Sequence, residues 1–164
     1  MATLLRPTIA VLALSLTAPA LAADWRFVVD PGDGSAVTYV DLDSIAPRNG
    51  ARRDAATYTV NRDADADGSL ASVVRLHFDC PGRRMSIFQI VNYGEDGRQL
   101  EDLHGHRPWI GPIPAGTQGG EMIDFVCSSG ASHPDRPSLG SALPLEPARR
   151  LLREMQQNGS PPGK

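Results

Sequence analysis

Lysine is almost absent from the sequence. Fifteen of its 16 basic side chains are arginines, and the single lysine, Lys164, is the last residue. Schiff-base chemistry, which uses a lysine amine, is therefore nearly excluded from the folded part of the chain. The motifs G-x-S-x-G and S-x-x-K are missing as well, which disfavours nucleophilic catalysis. We therefore expect a non-enzymatic protein without a cofactor.

A basic excess is also lacking. The formal net charge is −3 over 164 residues, so the chain has no electrostatic footprint for nucleic acid, and we expect no nucleic-acid partner. This length suits one domain behind an N-terminal leader.

Cysteine is scarce, with Cys80 and Cys127 as its only two examples. Neither has a histidine or cysteine beside it at ligand spacing, which disfavours a zinc site. In an exported chain, two cysteines most simply form one disulfide. Such a bond would close a loop of about 48 residues and stabilise the fold by about 4 kcal/mol. Two buried free thiols or a metal site are the alternatives.

Long apolar runs are absent except at the N-terminus. Arg6, the apolar residues 9–16 and the sequence Ala20-Leu21-Ala22 follow one another as in a secretory signal peptide. We therefore expect residues 1–22 to be removed and the mature chain to be periplasmic, outer-surface or secreted. The apolar run is too short for a transmembrane anchor. No cysteine follows the cleavage site, so we expect no lipid anchor.

The central part of the sequence predicts a β-hairpin over residues 69–93. Val74, Leu76 and Phe78 alternate with polar residues before Pro81-Gly82, and a second strand follows from Met85 to Tyr93. Alternation on both sides of a Pro-Gly pair is typical of two strands and a turn. Cys80 ends the first strand on its apolar side, where a covering element should lie.

The flanking segments predict four more strands and a helix. Strands are expected at residues 25–30, 36–41, 52–61 and 98–104. A short helix is expected at residues 117–127, with Thr117 as its N-cap. We therefore expect an α+β domain over residues 23–128, with a six-stranded antiparallel sheet linked to this helix by the disulfide.

The remaining residues, 129–164, are rich in serine, proline and glycine, which predicts a flexible tail. Within it, residues 146–158 could form an amphipathic helix with Pro147 at its first turn and Leu151, Leu152 and Met155 on one side. An isolated helix of this length is marginal in water, so it either docks or frays.

A series of short motifs occurs in a characteristic order. They are Asp24-Trp25, Tyr39-Val40-Asp41, Ser44-Ile45, Phe78-Asp79-Cys80, Trp109-Ile110, residues 113–117 and Val126-Cys127. This order resembles the surface-adhesin protein E family of exported bacterial proteins. The resemblance implies a six-stranded sheet with a disulfide-linked C-terminal helix, and a homodimer. For function it implies adhesion to host matrix or serum proteins such as vitronectin, laminin and plasminogen.

Two motifs suggest metal binding, but both are incomplete. Asp63, Asp65, Asp67 and Gly68 imitate the start of a calcium loop, yet Val74 occupies the twelfth position, where a glutamate is needed. A polar hairpin loop is therefore the preferred interpretation. His104 and His106 could bind a transition metal together with His77 or an acidic residue, but the sequence supplies no third ligand at a defined spacing. We therefore predict no metal site.

Arginine pairs are the best candidates for ligand contact. Arg83 and Arg84 follow the central turn, and Arg52-Arg53 begin a strand. Paired arginines bind carboxylate or sulfate groups in a bidentate manner, although solvated strand ends are the commoner explanation. Lys164 presents an ammonium and a carboxylate together, which suggests plasminogen recruitment.

The expected function is non-enzymatic binding at or near the bacterial envelope. Val73, Phe88 and Ile90 are expected on a second apolar face of the sheet that contacts a partner or a twin subunit. The alternatives are a periplasmic or secreted accessory module of unknown ligand and, less favoured, a metal-dependent hydrolase around His104 and His106.

Overall fold

A computed structural model describes residues 23–29 and 32–157 of the chain. The expected signal peptide, residues 1–22, and Lys164 lie outside the described residues, so both assignments stay predictions. No helix in the described part has the length and apolar character needed to cross a membrane.

The described chain forms one antiparallel sheet and two α-helices. The strands are β1 (Trp25–Val29), β2 (Ala36–Asp41), β3 (Ala46–Pro47), β4 (Arg52–Asn61), β5 (Ala71–Asp79), β6 (Arg84–Tyr93) and β7 (Gln99–His104). The helices are α1 (Gln118–Cys127) and α2 (Leu145–Gln157), and a short 3-10 helix spans Leu42–Ser44. The six long strands lie in the order β1-β2-β4-β5-β6-β7, while the two-residue β3 pairs with β4. The predicted α+β class is confirmed; only β3 was unforeseen.

The central hairpin is confirmed, and it contains one irregularity. β5 pairs with β6 from Ala71–Tyr93 to Asp79–Arg84, and the register shifts at Arg75 and Leu76. A bulge of this kind inserts one extra residue and changes the face to which later side chains point. The extra residue in β6 is Phe88, whose ring stacks on His77.

The two faces of the sheet carry separate cores. On the α1 face, Ile123, Phe125 and Val126 pack on strand residues that include Leu76 and Phe78. On the α2 face, Ala148 and Leu152 pack on a cluster that contains Trp25, Val37, Tyr39, Ala56, Tyr58 and Val60. Each strand alternates between the two faces, as the period of two requires. Thus both faces are apolar, and each face needs its own helix.

Val73, Phe88 and Ile90 were expected to share a second apolar face of the sheet, and the strand register contradicts this expectation. Ile90 pairs with Val74, whereas Val91 pairs with Val73. Paired residues share a face and successive residues alternate, so Ile90 lies on the α1 face and Val73 on the α2 face. The apolar face expected from Val73, Phe88 and Ile90 together is therefore wrong, because the alternation separates them. The predicted homodimer is not tested by this finding and stays a prediction.

The predicted disulfide is present. The Cys80 and Cys127 sulfurs are 2.04 Å apart, and the Cα atoms are 5.7 Å apart. Next to the bond, Arg83 donates from Nη1 to Asp124 Oδ1 at 2.6 Å and from Nε to the carbonyl of Ile113 at 3.0 Å. The β5–β6 turn is therefore attached to α1 by a covalent bond and an ion pair.

Helix α1 contains two glycines that lower its intrinsic stability. One of them has a packing reason. A Cβ on Gly120 would lie 2.2 Å from the carbonyl oxygen of Pro114, so any side chain there would collide with the preceding loop. Thr117 accepts from the Gly120 N–H at 3.1 Å as the predicted N-cap. The helix is thus held by its cap, its packing and the disulfide.

The described part of the tail lies against the sheet in two places. Ala148 and Leu152 of α2 are buried, with 0% and 3% exposure. Before α2, the Leu139 N–H donates to the Trp25 carbonyl at 3.0 Å, which covers the outer edge of β1. Of the two outcomes expected for the tail helix, the structure has the docked one. Flexibility of the tail in solution stays a prediction.

Removing the disulfide tests the connection between the hairpin and α1. In the double variant Cys80→Ala/Cys127→Ala, we expect the free energy of unfolding to fall by about 4 kcal/mol, because the unfolded chain regains the entropy of an open loop. Urea denaturation of the full chain measures the change. The wild type under reducing conditions is the control and should match the variant. A loss below about 1 kcal/mol would show that the bond contributes little.

Leu152→Ala tests the docking of α2. We expect the free energy of unfolding to fall by about 2–5 kcal/mol, because the change leaves a cavity against the sheet. Arg153→Ala is the matched control, since this neighbouring side chain is exposed and should alter stability by less than about 0.5 kcal/mol. If both variants unfold at the same urea concentration, α2 does not dock.

Candidate functional site

The α2 face of the sheet is only half covered, and a basic depression occupies the uncovered end. We call it the arginine–tryptophan basin. It encloses about 250 Å³ and is lined by Arg48, Arg52, His77, Ser86, His106, Arg107 and Trp109. These residues come from β4, β5, β6 and the two loops beside them. The basin is thus assembled from segments far apart in the sequence.

A tight reversal before β4 positions the first two arginines. The Arg48 N–H donates to the Arg52 carbonyl at 2.9 Å, which closes the loop between β3 and β4. Gly50 lies within this loop with φ of +71°, a conformation that favours glycine. The Asn49-Gly50 pair therefore brings Arg48 and Arg52 to one end of the sheet.

His77 forms the floor of the basin through three contacts. Its Nδ1 lies 2.7 Å from Asp54 Oδ1, and its Nε2 lies 2.7 Å from Arg48 Nη1. The ring also stacks on Phe88, with centroids 4.3 Å apart. Arg48 Nη1 also contacts Nδ1, so the guanidinium group lies against both ring nitrogens of His77. The pairing of Asp54 with His77 across β4 and β5 makes this network possible.

An extended segment after β7 builds the opposite wall. The Arg107 N–H donates to the Ile87 carbonyl at 2.9 Å, and the Ser86 hydroxyl donates to the Arg107 carbonyl at 2.5 Å. His106 stacks on His77 with centroids 5.3 Å apart. The segment therefore follows β6 and presents His106, Arg107 and Trp109 to the basin.

Trp109 is flanked by two guanidinium groups. The Cζ atoms of Arg52 and Arg84 lie 5.4 Å and 5.7 Å from the Trp109 ring centre. Arg84 also forms an ion pair with Asp79, at 3.0 Å from Nε to Oδ2. These cation–π contacts place two arginines beside an exposed aromatic ring.

Asp79 is held as a carboxylate. Hydrogen bonding from Arg84 is the largest cause of its lowered pKa, while burial acts in the opposite direction. The Gly82 N–H also donates to Asp79 Oδ1 at 3.4 Å. A Cβ at Gly82 would lie 2.5 Å from Asp79 Oδ2, so glycine is needed for this turn to approach the carboxylate.

The charges of the basin favour an anionic ligand. Its rim carries Arg48, Arg52, Arg84 and Arg107, whereas Asp54 and Asp79 are the nearby carboxylates. Both carboxylates already have partners inside the fold. Guanidinium groups bind carboxylate, sulfate and phosphate in a bidentate manner. The basin can therefore bind an anion without displacing the contacts that hold its floor.

The arrangement of Asp54, His77 and Ser86 across three strands has no hydrolase geometry. His77 Nε2 faces Arg48 rather than a hydroxyl. The Ser86 hydroxyl is buried and donates to the Arg107 carbonyl. A nucleophile and base must be within hydrogen-bonding reach of each other, and these two side chains have other partners.

The structure separates the four residues of the predicted arginine pairs. Arg84 borders the basin through Trp109, and Arg52 lines it. Arg83 instead points to α1 and pairs with Asp124, while Arg53 pairs with Phe78 in the strand register, away from the basin. Ligand contact by Arg83 and Arg84 stays a prediction.

The histidines and the acidic loop have contacts of their own. His106 stacks on His77, whereas His104 Nε2 lies 3.1 Å from Asp102 Oδ1. Within the described residues, no group of three or more histidine, cysteine, aspartate or glutamate side chains could hold a metal ion. In the acidic loop, Asp67 accepts from the Ser69 N–H at 3.0 Å and so supports the turn into β5.

Sequence reasoning missed Arg48, Arg107 and Trp109 as site residues. The Asn49-Gly50 turn was the one available signal for Arg48, since it places the residues on either side of it close together. Arg107 directly precedes Pro108, and Trp109 lies between Pro108 and Pro112, in an irregular segment. No periodic pattern assigns such residues to a face of the sheet.

Comparisons with known proteins give a family match. A family described as Surface-adhesin protein E matches residues 25–128. This range runs from the start of β1 to the end of α1, and it contains the disulfide and every residue of the basin. No curated protein and no solved structure matches the chain.

Arg84→Ala tests the electrostatics at the rim of the basin. We expect the pKa of Asp79 to rise toward the ordinary value of about 3.9, because its main hydrogen-bond donor is removed. A carboxyl group with a lowered folded pKa stabilises the fold above its unfolded pKa, and this contribution disappears as the pH falls through the folded value. The stability difference between wild type and variant should therefore shrink below about pH 4.

Carbon-detected NMR titration measures the pKa, and urea denaturation at several pH values measures the stability. Arg53→Ala is the matched control, because this neighbouring arginine has no contact with Asp79 in the described structure. An unchanged Asp79 pKa in Arg84→Ala would contradict the assignment of Arg84 as its main partner.

Proposed function

Because the chain belongs to the surface-adhesin protein E family, we propose that it is an exported, non-enzymatic adhesin that binds host proteins at the bacterial cell surface. The family match covers the whole sheet and α1. Family membership suggests a surface adhesin and an exported protein. We further propose that host matrix or serum proteins, such as vitronectin, laminin and plasminogen, are its partners.

We propose the arginine–tryptophan basin as the contact surface, and its charge is the observation that supports this choice. The whole chain carries a net charge of −3, yet four arginines gather around this one depression. A local charge opposite to that of the whole molecule orients partners during an encounter. Exposed tryptophan and arginine are also the residue types that contribute most to binding energy.

The position of the basin fits this role. The other end of the α2 face is covered by α2, and the core of the α1 face is covered by α1. Arg52 lies in β4 and Arg84 lies in β6, and both strands are paired on both sides. Binding residues on such a scaffold need little reorganisation before contact.

Charge reversal at the basin tests the proposal. The full chain should bind immobilised laminin or vitronectin saturably, and Arg52→Glu/Arg107→Glu should weaken that binding at least about tenfold, because each lost charged contact costs about 1.5–3 kcal/mol. Surface plasmon resonance measures the affinity. Circular dichroism should show an unchanged fold, since both side chains are exposed.

The matched control is Arg62→Glu/Arg98→Glu. It changes the net charge equally, but both residues lie at the opposite end of the sheet, next to Asn61 and Gln99. If both double variants bind the host protein equally weakly, the loss of affinity comes from the net charge of the molecule and not from the basin. If the wild type binds none of the host proteins, the result would favour an accessory module of the periplasm. The same conclusion would follow if the protein on cells can be reached only after the outer membrane is opened.

A further inference from the structure

We propose that the arginine–tryptophan basin binds the sulfate groups of a sulfated polysaccharide. This inference rests on the proposed adhesive function and names the chemistry of a ligand for the same surface. It assigns the adhesin a carbohydrate partner in the host matrix in addition to a protein partner.

The first argument is that two guanidinium groups are available. In the described part of the chain, the side chains of Arg52 and Arg107 make no hydrogen bond and no ion pair; Arg52 lies over the Trp109 ring and, as the strand partner of Asp79, helps to lower the pKa of that carboxyl group. Arg48 and Arg84, in contrast, are engaged with His77 and Asp79. Arg52 and Arg107 therefore have free donors for a ligand, while the other two arginines keep the rim positive.

The second argument is the kind of cation. All four rim residues are arginine, and lysine is absent from the sequence before residue 164. The planar guanidinium matches two oxygens of one tetrahedral anion, and it is less strongly hydrated than an ammonium. A sulfate ester presents such oxygens at every pH that the protein meets, so its binding does not depend on deprotonation.

The third argument is shape. Arg52, Arg107 and Trp109 are all exposed, and the basin is a shallow depression of about 250 Å³ in the face of the sheet. A small ligand would be buried in a deeper cavity. A polymer can instead lie across the depression, with a sugar ring against Trp109 and sulfates beside the arginines. Arg75 pairs with Ala56 on the same face and extends the positive track along β5.

An acidic peptide fits this surface less well. Extended peptides gain much of their affinity by pairing with the open edge of a sheet. The basin lies over β4 and β5, and both strands are paired on each side. A peptide in the basin would therefore have only side-chain contacts. Repeating sulfates along a polysaccharide make the same charge contacts without needing an edge.

Heparin, a sulfated polysaccharide, is the probe for the test. Surface plasmon resonance of the full chain is run on immobilised heparin and on chemically desulfated heparin, at about 0.15 M salt, where the screening length is about 8 Å. We expect saturable binding to heparin only. Arg52→Ala/Arg107→Ala should bind at least about tenfold more weakly, whereas Arg62→Ala/Arg98→Ala, with the same loss of charge, should bind like the wild type.

Three results would overturn the inference. They are equal binding to desulfated heparin, equal loss in both double variants, and competition by polyglutamate as strong as competition by free heparin. The last result would identify an acidic protein as the partner.

The inference and the proposed function can fail separately. If the chain captures laminin or vitronectin but not heparin, the inference is wrong and the adhesive function stands. If it binds heparin through Arg52 and Arg107 but captures no host protein, the sulfate site stands and the proposed protein partners fall.

Discussion

The fold depends on the attachment of α1 to the turn between β5 and β6. A sheet that is apolar on both faces must be covered twice, and residues 23–29 and 32–157 contain two short α-helices for that purpose. Helix α1 has ten residues and two glycines, so it would not be stable alone. The Cys80–Cys127 bond and the Arg83–Asp124 pair fix it over the α1 face. Because α1 covers the α1 face, the sheet can present polar groups on part of the α2 face.

That second face is divided between stability and binding. Helix α2 buries Leu152 against the aromatic end, near Trp25 and Tyr58. At the other end, the same face carries polar side chains: His77 is buried as the floor of the basin, Asp54 is partly exposed and Arg52 is exposed. Along one face of a single strand, the side chains at one end thus belong to the core, and those a few residues away belong to the basin. The basin needs no separate domain, because the rigid sheet that forms its floor is already stabilised elsewhere.

Much of this architecture could be predicted from the sequence, because its causes are local. Alternation around Pro81-Gly82 predicted the central hairpin, and Thr117 predicted the start of α1. The disulfide was predictable because the chain has only two cysteines. The distribution of Val73, Phe88 and Ile90 was not, since one extra residue in β6 changes the facing of those after it. The basin was found only in part, because it joins residues from β4, β5 and an irregular segment that no local pattern brings together.

The hydrogen bond from the Leu139 N–H to the Trp25 carbonyl affects which edge of the sheet is open to a second copy of the chain. One edge of the sheet, β1, is already occupied by the chain's own residues 138–140, whereas β7 pairs with no further strand in the described structure. A sheet with two open edges can add neighbours in both directions and grow into a fibre. With a single open edge, two copies that meet edge to edge leave nothing exposed for a third. Residues 138–140 therefore block the start of β1 and leave β7 as the more open edge for pairing between copies of the chain.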